Sequence, residues 1–375
     1  MKITVVTPRY SVSGVPLAQA KFAQALANDG HDVELVIGRA DAGLRLPKLL
    51  GVKLTVLGLP NVRTMFLPVW KHILKARPEI IFSAEDHLNA IVLLAAIIAR
   101  SRAKVSCSSR VTPFDTYSNK ILTKRWFLKQ FSKAVMWRAD ALTCVSEDMV
   151  RQYHHVFNAP PHICIYNIVV DGQSKHRMSE PIDHPWLLKK EVPVIIAAGR
   201  LEPWKGFDDL IRAIKILTER KKVRLLILGE GSQRSKLEQM VEDLDLEDAV
   251  DLPGYAENPL KYFARADVFA LSSIVEGLPN VLVEAMMCGC TPVSTDCPTG
   301  PREVLQGGKY GYLVPVRDPT RMAAGIERAL NAPIEGKLLD EAIRPFKQEA
   351  VLSHHFQILG IARRSSADVI RGDVL

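Results

Sequence analysis

Residues 268–284 read Val-Phe-Ala-Leu-Ser-Ser-Ile-Val-Glu-Gly-Leu-Pro-Asn-Val-Leu-Val-Glu. The apolar run Val268–Leu271 predicts a buried strand, and Pro279 suits the first turn of a helix that would follow it. A strand that passes through a short loop into a helix is the repeating unit of α/β folds with parallel sheets. This stretch therefore predicts one strand–loop–helix unit of such a sheet.

The same alternation of strands and helices continues in both directions from this stretch. Helical periodicity is seen, for example, in Pro16–Asn28, with Gly30 as the expected C-cap. In the second half of the chain, apolar runs predict strands at Val192–Ala198, Arg224–Leu228, Ala249–Leu252, Val268–Leu271, Thr291–Ser294 and Tyr312–Val314. In the first half they predict strands at Ile3–Thr7, Val33–Ile37, Leu54–Leu57, Ile80–Phe82, Lys104–Ser108, Ala141–Val145 and Ile163–Tyr166.

The length of 375 residues exceeds what one ordinary hydrophobic core supports, and a polar, proline-containing stretch separates the two series of strands. We therefore predict an α/β protein with two Rossmann-like, doubly wound parallel-sheet domains that face a cleft. The first domain would span residues 1–172, a linker 173–191 and the second domain 192–345. Residues 346–375 would form a helical segment that packs back on the first domain. Because ligands bind at the carboxyl ends of parallel strands, the active site is expected in the cleft.

The composition is typical of a soluble globular protein, with 47% hydrophobic and 24% charged residues. The longest apolar run, Ala90–Ala99, has ten residues, about half of what a membrane-spanning helix needs. The first ten residues, Met1–Tyr10, have the pattern of a strand and not of a signal peptide. The expected location is therefore the cytoplasm.

The net charge of +8 indicates an anionic partner, and nucleic acid, anionic lipid and phosphorylated substrates all satisfy it. No nucleic-acid-binding signature is present, so no nucleic-acid partner is expected. The six cysteines form no CxxC pair, and Cys288 and Cys290 have no histidine near them. We therefore expect no metal site at these cysteines.

Two carboxylates, Glu276 and Glu284, flank the loop and the helix start of the opening stretch. Glu284 would lie roughly 7 Å along the helix axis. Between them, backbone amides would form an anion pocket, so a sugar–diphosphate–ribose ligand would match the order of the groups. The alternative for Glu284 is an ordinary exposed helix residue. The residues expected at the pocket are Gly277, Leu278, Pro279 and Asn280.

Three further loops follow predicted strands in the second half. Arg200 and Lys205 lie between a strand and a helix and could hold a diphosphate, although a solvated basic loop is the alternative. Gly229 begins a GxG fragment, which allows close approach of a ligand to the backbone but is weak evidence by itself. Residues 297–304 form another turn before a helix, where a loop could cover the donor.

Together these segments resemble the C-terminal domain of the retaining GT-B glycosyltransferases of family 4. The pattern consists of Gly199-Arg200, then Lys205-Gly206, then Glu276 and Glu284 with seven residues between them. The resemblance implies that Arg200 and Lys205 bind the donor diphosphate, Glu276 the sugar hydroxyls and Glu284 the ribose. It also implies that the backbone around Gly254-Tyr255 contacts the base. It further implies a GT-B fold, catalysis without a metal or other cofactor, and roles for Arg200, Lys205 and Glu276 in catalysis.

The first domain is expected to bind the acceptor. The family usually has a paired-glycine loop after its first strand, of which only Gly14 is present here. His87 is similar to the family's active-site histidine in this domain, which implies a catalytic role for it, with Asp86 as the second candidate, although a lone histidine can also be structural. Arg110 follows another strand and could contact an acceptor phosphate.

A predicted basic helix, Ser118–Arg138, gives the first domain a candidate membrane surface. One stripe is apolar and would face inward: Ile121, Leu128, Phe131 and Val135. The other mixes basic residues with tryptophan: Leu122, Arg125, Trp126, Lys129, Lys133 and Trp137. The second stripe would lie on an anionic membrane, or would instead be a solvated face that packs its tryptophans on neighbouring residues.

The sequence thus predicts retaining transfer of a hexose or N-acetylhexosamine from a nucleotide diphosphate sugar, with UDP as the expected nucleotide. The acceptor would be a lipid-linked sugar or a surface glycan in polysaccharide or lipopolysaccharide assembly, reached from the cytoplasm at the inner face of the membrane. Two alternatives remain: a nucleotide-sugar epimerase of the same fold, and a non-catalytic subunit that binds sugar nucleotide or membrane.

Overall fold

The computed structural model describes residues 1–11, 14–41 and 46–362. The chain divides into two compact units, each built around one parallel sheet. The first unit contains Met1–Ile168 and the described residues from Gln348 to 362, and the second contains Val169–Lys347. The predicted two-domain α/β architecture is therefore confirmed.

The first sheet has seven strands among the described residues, all of them parallel, in the order β3-β2-β1-β4-β5-β6-β7. The order changes direction between β1 and β4, as in doubly wound folds. The strands are β1 Lys2–Tyr10, β2 Asp32–Ala40, β3 Val52–Val56, β4 Ile80–Ala84, β5 Lys104–Ser109, β6 Ala141–Cys144 and β7 His162–Cys164.

The second sheet has six parallel strands in the described part of the chain, in the order β10-β9-β8-β11-β12-β13, and its order changes direction between β8 and β11. Each strand predicted from an apolar run corresponds to one strand of these two sheets. The strands are β8 Val194–Ala198, β9 Arg224–Leu228, β10 Val250–Gly254, β11 Val268–Leu271, β12 Thr291–Thr295 and β13 Tyr312–Val314.

Helices connect the strands and cover both faces of each sheet. Those of the first unit are α1 Gly14–Asn28, α2 Phe66–Ala76, α3 Asp86–Ile98, α4 Pro113–Thr116, α5 Lys124–Val135 and α6 Glu147–Val156. Those that follow in the second unit are α7 Ser174–Ser179, α8 Pro185–Leu188, α9 Phe207–Thr218, α10 Arg234–Asp243, α11 Leu260–Phe263, α12 Asn280–Met287, α13 Pro301–Val304, α14 Pro319–Asn331 and α15 Gly336–Ala342. The last helix is α16 Gln348–Ile358, and short 3-10 turns lie at Val62–Met65, Met136–Arg138, Pro203–Lys205, Gln306–Gly308 and Arg344–Phe346.

Local sequence explains where these helices end and what they bury. Helix α1 ends before Gly30, whose φ of +83° is the left-handed conformation predicted for a C-cap glycine. Helix α16 packs in the core of the first unit, where Leu352 and Phe356 join the strand residues Ile3 and Val5. Among the described residues, no helix combines the length and the apolar composition that crossing a bilayer requires.

The predicted linker, residues 173–191, is instead part of the second unit. Its backbone accepts hydrogen bonds from that unit, as between Asn258 Nδ2 and Arg177 O at 2.8 Å. The imidazole of His184 is buried and its Nε2 lies 2.9 Å from Asp251 Oδ2. The polar composition of the segment therefore reflects side chains and backbone that hydrogen-bond to the domain surface, and not a solvated spacer.

Candidate active site

The second sheet has its topological switch point between β8 and β11. The loops after these two strands lead in opposite directions, and α/β proteins bind ligands beside such points, outside the carboxyl ends of the strands. Gly199 and Arg200 follow β8, while Ser272, Ser273 and Glu276 follow β11. The residues predicted to bind a donor therefore lie where the fold provides a ligand site.

Lys205 and Glu276 are in contact across this point. Lys205 Nζ lies 2.5 Å from Glu276 Oε1, and the two side chains retain 17% and 11% of their exposure. Ser273 Oγ donates a hydrogen bond to the same carboxylate oxygen at 2.6 Å. An ion pair that is mostly buried and supported by a third group holds its charges in fixed positions. A ligand with hydroxyl groups and negative charge would find both an acceptor and a cation here.

Gly206 sets the position of Lys205. Its φ is +62°, and a Cβ at this position would lie 2.3 Å from the carbonyl oxygen of Ser272, so only glycine allows the backbone to approach the end of β11 this closely. Ser272 Oγ also donates to the carbonyl of Lys205 at 2.8 Å. Helix α9 begins immediately after, at Phe207, which places its N-terminal amides next to the lysine.

Arg200 lies apart from the Lys205–Glu276 pair. Its side chain is exposed, with Cζ 5.6 Å from the centre of the Trp204 ring. In the described part of the chain it makes no ion pair and no side-chain hydrogen bond. The guanidinium of Arg200 therefore lies beside the Trp204 ring and is exposed to solvent. The structure brings Lys205 and Glu276 together without Arg200.

The stretch 276–284 forms the expected loop and helix, but its amide pocket is smaller than predicted. Helix α12 starts at Asn280 with Pro279 at the N-cap position, one residue later than predicted. Proline has no N–H, and the amide of Asn280 donates to Leu278 O at 2.9 Å. Of the four predicted positions, only Gly277 and Leu278 keep amides without a partner among the described residues. Glu284 is half-buried in the second turn of α12.

The loop after β12 packs on this stretch, as expected for a loop near the donor. Thr299 Oγ1 donates to the carbonyl of Glu276. Gly300 has φ +90°, and a Cβ there would lie 2.5 Å from Pro279 Cδ. Thr299 itself has φ +64°, a conformation that is unfavourable for a residue with a Cβ. The two loops are thus fixed against each other.

The predicted donor glycines lie at the ends of β8, β9 and β10, and two of them are required by the fold itself. A Cβ at Gly229 would lie 1.9 Å from the carbonyl oxygen of Gly199, and Gly229 N donates to Gly254 O at 2.8 Å. Close packing on the backbone of Gly199 therefore requires the glycine at 229, and the φ of +96° favours the glycine at 254. Tyr255, directly after them, is 56% exposed.

Several polar residues near this edge were missed by the sequence-based prediction. Ser273 holds Glu276, Thr299 holds the loop, and Glu230 forms an ion pair with Arg234 at 2.8 Å beside Gly254. Each of these except Arg234 stands within a few residues of the carboxyl end of a strand. Position relative to a strand end is the signal that could have identified them.

In the first unit, Asp86 and His87 follow β4 but differ in their surroundings. Asp86 is buried and accepts hydrogen bonds from Ser109 Oγ and Tyr153 Oη, both at 2.6 Å. Burial raises the pKa of this carboxyl, and the two hydrogen bonds oppose the shift. Asp86 is therefore a core residue with both oxygens in use. His87 is exposed in the first turn of α3, so of the two candidates it is the one open to a ligand.

Gly14 and Arg110 complete the predicted residues of the first unit. Gly14 is the first residue of α1, and the two residues before it lie outside the described part of the chain. Arg110 is half-buried after β5, and its Nη1 donates to Asn167 Oδ1. Its Nε is buried without a partner in the described structure. Burial lowers the pKa of Arg110 to about 10, while Glu85 acts in the opposite direction.

The basic helix exposes the predicted face only in part: Arg125, Lys133 and Trp137 are exposed and Val135 is buried, as predicted. Helix α5 starts only at Lys124, after a turn that Thr123 caps, so residues 118–123 do not belong on its helical wheel. Lys129, predicted to face outward, is buried and donates to Asn119 Oδ1 at 2.6 Å. Ile121, predicted to face inward, is 69% exposed. The outer face also carries the ring of Phe127, which is 54% exposed, and Trp137 just after the helix is 67% exposed.

No three His, Cys, Asp or Glu side chains of residues 1–11, 14–41 and 46–362 are grouped closely enough to bind a metal ion. The absence of a metal requirement stays a prediction.

Both halves of the chain match known protein families. Residues 179–345 match the family described as glycosyl transferases group 1, and residues 13–166 match the glycosyl transferase 4-like domain. An uncharacterized glycosyltransferase of Methanocaldococcus jannaschii is 28% identical over 272 residues, which cover 65% of this chain and 65% of the relative.

A second relative is the N-acetylgalactosamine-N,N'-diacetylbacillosaminyl-diphospho-undecaprenol 4-alpha-N-acetylgalactosaminyltransferase of Campylobacter jejuni. It is 38% identical over 136 residues, or 36% of this chain and 37% of that protein. The chain thus matches less than two thirds of the length of either relative. The crystal structure of HepE from Anabaena in complex with UDP is similar over 96% of this chain and 100% of that chain, with a TM-score of 0.77 and 18% identity. This similarity shows a common fold.

Proposed function

We propose that this chain, whose two domains have the GT-B fold, is a retaining glycosyltransferase that transfers a hexose or N-acetylhexosamine from a UDP-sugar. The observation that carries this proposal is the contact between Lys205 and Glu276 at the switch point of the second sheet. It combines a cation for a diphosphate with an acceptor for sugar hydroxyls. The fold shared with a structure that contains UDP supports the choice of nucleotide.

We assign the donor contacts by the chemistry of each group. Lys205 and the exposed Arg200 would neutralise the diphosphate, together with the amides of Gly277 and Leu278. Because negative charge grows on the diphosphate as the sugar leaves, fixed cations stabilise the transition state more than the ground state. Glu276 would accept hydrogen bonds from sugar hydroxyls, and Glu284 from the ribose. The backbone at Gly254 and Tyr255 would contact the base.

Metal independence is part of the proposal. A diphosphate that two side-chain cations and helix amides neutralise has no need of a divalent ion for the same purpose. Retention is proposed from the resemblance to family 4, and it would yield an α-glycoside from an α-linked donor.

For the acceptor, we propose a lipid-linked sugar or growing surface glycan at the inner face of the membrane. The name of the Campylobacter relative includes a diphospho-undecaprenol group, and that of a Rhizobium meliloti relative, 30% identical over 174 residues, refers to lipopolysaccharide core biosynthesis. Support from this chain comes from a surface that we call the 114–137 surface. Its exposed apolar members are Phe114, Ile121, Leu122, Phe127, Phe131 and Trp137, and its exposed basic members are Lys120, Lys124, Arg125 and Lys133.

The geometry of α5 suits a membrane interface better than the predicted arrangement does. Phe127 and Phe131 are one helical turn apart on the outer face, and Arg125 is fixed beside Phe114 through a hydrogen bond to its carbonyl. Exposed rings bury apolar area at the headgroup boundary, while nearby cations attract anionic lipid. A cluster of exposed large apolar residues of this kind needs an explanation in a monomer, and a lipid surface provides one.

The experiment that tests the proposed function is a donor screen. The purified protein is incubated with UDP- and GDP-sugars, with and without a mixed pool of lipid-linked and soluble glycan acceptors, and nucleotide release is followed. We expect UDP release from one UDP-hexose or UDP-N-acetylhexosamine, stimulated by an acceptor. Conversion of the sugar without nucleotide release would indicate an epimerase. Binding of UDP with no turnover of any donor would indicate the non-catalytic subunit.

A further inference from the structure

Glu85 stands at the switch point of the first sheet. It is the residue directly after β4, and β4 pairs with β1 at the place where the strand order changes direction. Arg9 lies near the carboxyl end of β1, and Arg110 follows β5 on the other side of β4. Glu85 therefore lies at the switch point of the first sheet, as the loops that contain Lys205 and Glu276 lie at the switch point of the second sheet.

The backbone of Glu85 is held in an unfavourable conformation. Its φ and ψ are +79° and 130°, a region that residues with a Cβ rarely occupy. Hydrogen bonds on both sides enforce this: Glu85 N donates to Ser108 O at 3.0 Å, and Asn89 N donates to Glu85 O at 2.9 Å. The Asn89 side chain is itself tied to Ser108 O at 2.9 Å. The conformation persists because the neighbouring elements fix it, and glycine would satisfy it at lower cost.

The carboxylate of Glu85 has charged neighbours but no hydrogen-bond partner among the described residues. It is half-buried, and burial raises the pKa of this carboxyl, whereas Arg9 and Arg110 lower it. The adjacent Asp86, by contrast, uses both of its oxygens within the core. A half-buried carboxylate between two arginines with no donor to either oxygen is costly to keep unless a ligand supplies the donor.

We propose that Glu85 is an acceptor-binding residue whose carboxylate accepts a hydrogen bond from the attacking hydroxyl of the acceptor sugar. Arg9 and Arg110 lie near this carboxylate and would bind an anionic group such as a diphosphate. The acceptor is therefore expected to be a sugar that carries such a group. The inference rests on the proposed function and deepens it. It places the acceptor-binding carboxylate two residues before His87, in a position that residue type alone did not indicate.

The test uses the full-length protein with three substitutions. Glu85→Gln removes the charge at constant size, and Glu85→Gly removes the side chain while allowing the observed φ. Glu79→Gln is the matched control, since Glu79 lies at the opposite end of the same strand and accepts a hydrogen bond from Lys2 N at 2.8 Å. The probes are UDP for the donor site, and an N-acetylhexosamine on a short prenyl diphosphate for the acceptor site, with the UDP-sugar found in the donor screen.

We expect Glu85→Gln to lower transfer at sub-saturating acceptor by about tenfold, because the glutamine oxygen still accepts a hydrogen bond but without the charge that strengthens it. UDP affinity should stay within about twofold of wild type, because the donor residues belong to the other unit. Glu85→Gly should lose at least as much transfer while its melting temperature equals or exceeds that of wild type. Glu79→Gln should retain transfer.

Two results would overturn the inference: transfer by Glu85→Gln and Glu85→Gly equal to that of Glu79→Gln, or a loss of UDP affinity as large as the loss of transfer. Failure of the proposed function would be seen in the wild-type protein itself, which would bind UDP but transfer sugar to no probe. This result differs from both of the results above, and it would overturn the inference as well.

Discussion

Lys205 Nζ and Glu276 Oε1 are 2.5 Å apart although 71 positions separate the two residues in the chain. The contact depends on the parallel pairing of β8 with β11, which brings the loops after both strands to one edge of the sheet. Gly206 and Ser272 then fix the lysine, and Ser273 fixes the carboxylate. A site of this kind is preorganised by the fold before any donor binds.

The first prediction concerns Gly206. Gly206→Ala would place a Cβ 2.3 Å from Ser272 O at a φ of +62°, so either the loop or the end of β11 must move. We expect the free energy of unfolding to fall by about 2 kcal/mol or more, with weaker donor turnover because Lys205 shifts. Urea denaturation measures the first effect. Gly336→Ala is the control, since no atom lies within 4 Å of its Cβ position, and a loss there as large as at Gly206 would contradict this explanation.

The second prediction concerns acid stability. His355 packs between Phe22 and Phe82, and burial lowers its pKa to about 3 from the ordinary 6.5. Below pH 6.5 the unfolded chain binds a proton at this residue that the folded chain does not, so stability falls as the pH is lowered towards 3. Each unit of pKa difference corresponds to about 1.4 kcal/mol.

We therefore expect His355→Phe to lose less stability than wild type between pH 7 and pH 5, as measured by urea midpoints at both values. The exposed His176, replaced by Gln, should leave the pH dependence of wild type unchanged. If the stability of wild type and of His355→Phe changed equally with pH, proton uptake by His355 on unfolding would not be the cause of the loss.

The third prediction is that activity survives chelation. Because Lys205, Arg200 and helix amides would neutralise the leaving diphosphate, nucleotide release should be the same in EDTA as in Mg²⁺ or Mn²⁺. The measurement is the initial rate of UDP release after exhaustive dialysis against EDTA. An absolute requirement for either ion would show that the cations of the chain are insufficient.

The fourth prediction concerns the 114–137 surface. Reversing the exposed lysines Lys120, Lys124 and Lys133 to Glu should sharply reduce sedimentation with anionic liposomes at about 50 mM salt, since each contributes on the order of 1 kcal/mol near such a surface. Replacing Phe127 and Phe131 with Ala should remove a component that resists salt. Donor hydrolysis should stay near the wild-type rate in both variants.

A control for this experiment changes the same net charge elsewhere. The exposed lysines Lys222, Lys236 and Lys337 belong to the second unit, and their reversal to Glu should leave liposome binding close to wild type. Equal losses in the two triple variants would indicate a net-charge effect. A wild-type protein that does not sediment at all would favour a soluble glycan acceptor.

The strands were predictable from sequence because parallel strands buried on both faces appear as continuous apolar runs. The faces of the segment 118–138 were predictable only in part, because the helix begins after Thr123 and leaves residues 118–123 outside it, and because Lys129 is buried through one specific contact with Asn119. Neither is visible in a helical wheel. The wheel reports periodicity but does not locate the first residue of the helix.

At the candidate site, sequence identified Lys205 and Glu276 but not what holds them. Gly199 and Gly229 were interpreted as ligand contacts, but a Cβ at Gly229 would collide with Gly199 O, so packing alone already requires the glycine at 229. The amide pocket was overestimated because a proline contributes no N–H. Residue types thus indicated the chemistry of the site, and only the strand order showed which residues support it.

The most direct measurement of the central claim is the rate of UDP release from the preferred UDP-sugar by Lys205→Ala and by Arg200→Ala, at sub-saturating donor. Each substitution removes a charge-assisted contact that strengthens in the transition state, so we expect rates about a hundredfold or more below wild type. Lys222→Ala should retain the wild-type rate. Wild-type rates in both Lys205→Ala and Arg200→Ala would contradict a donor site at the switch point of the second sheet.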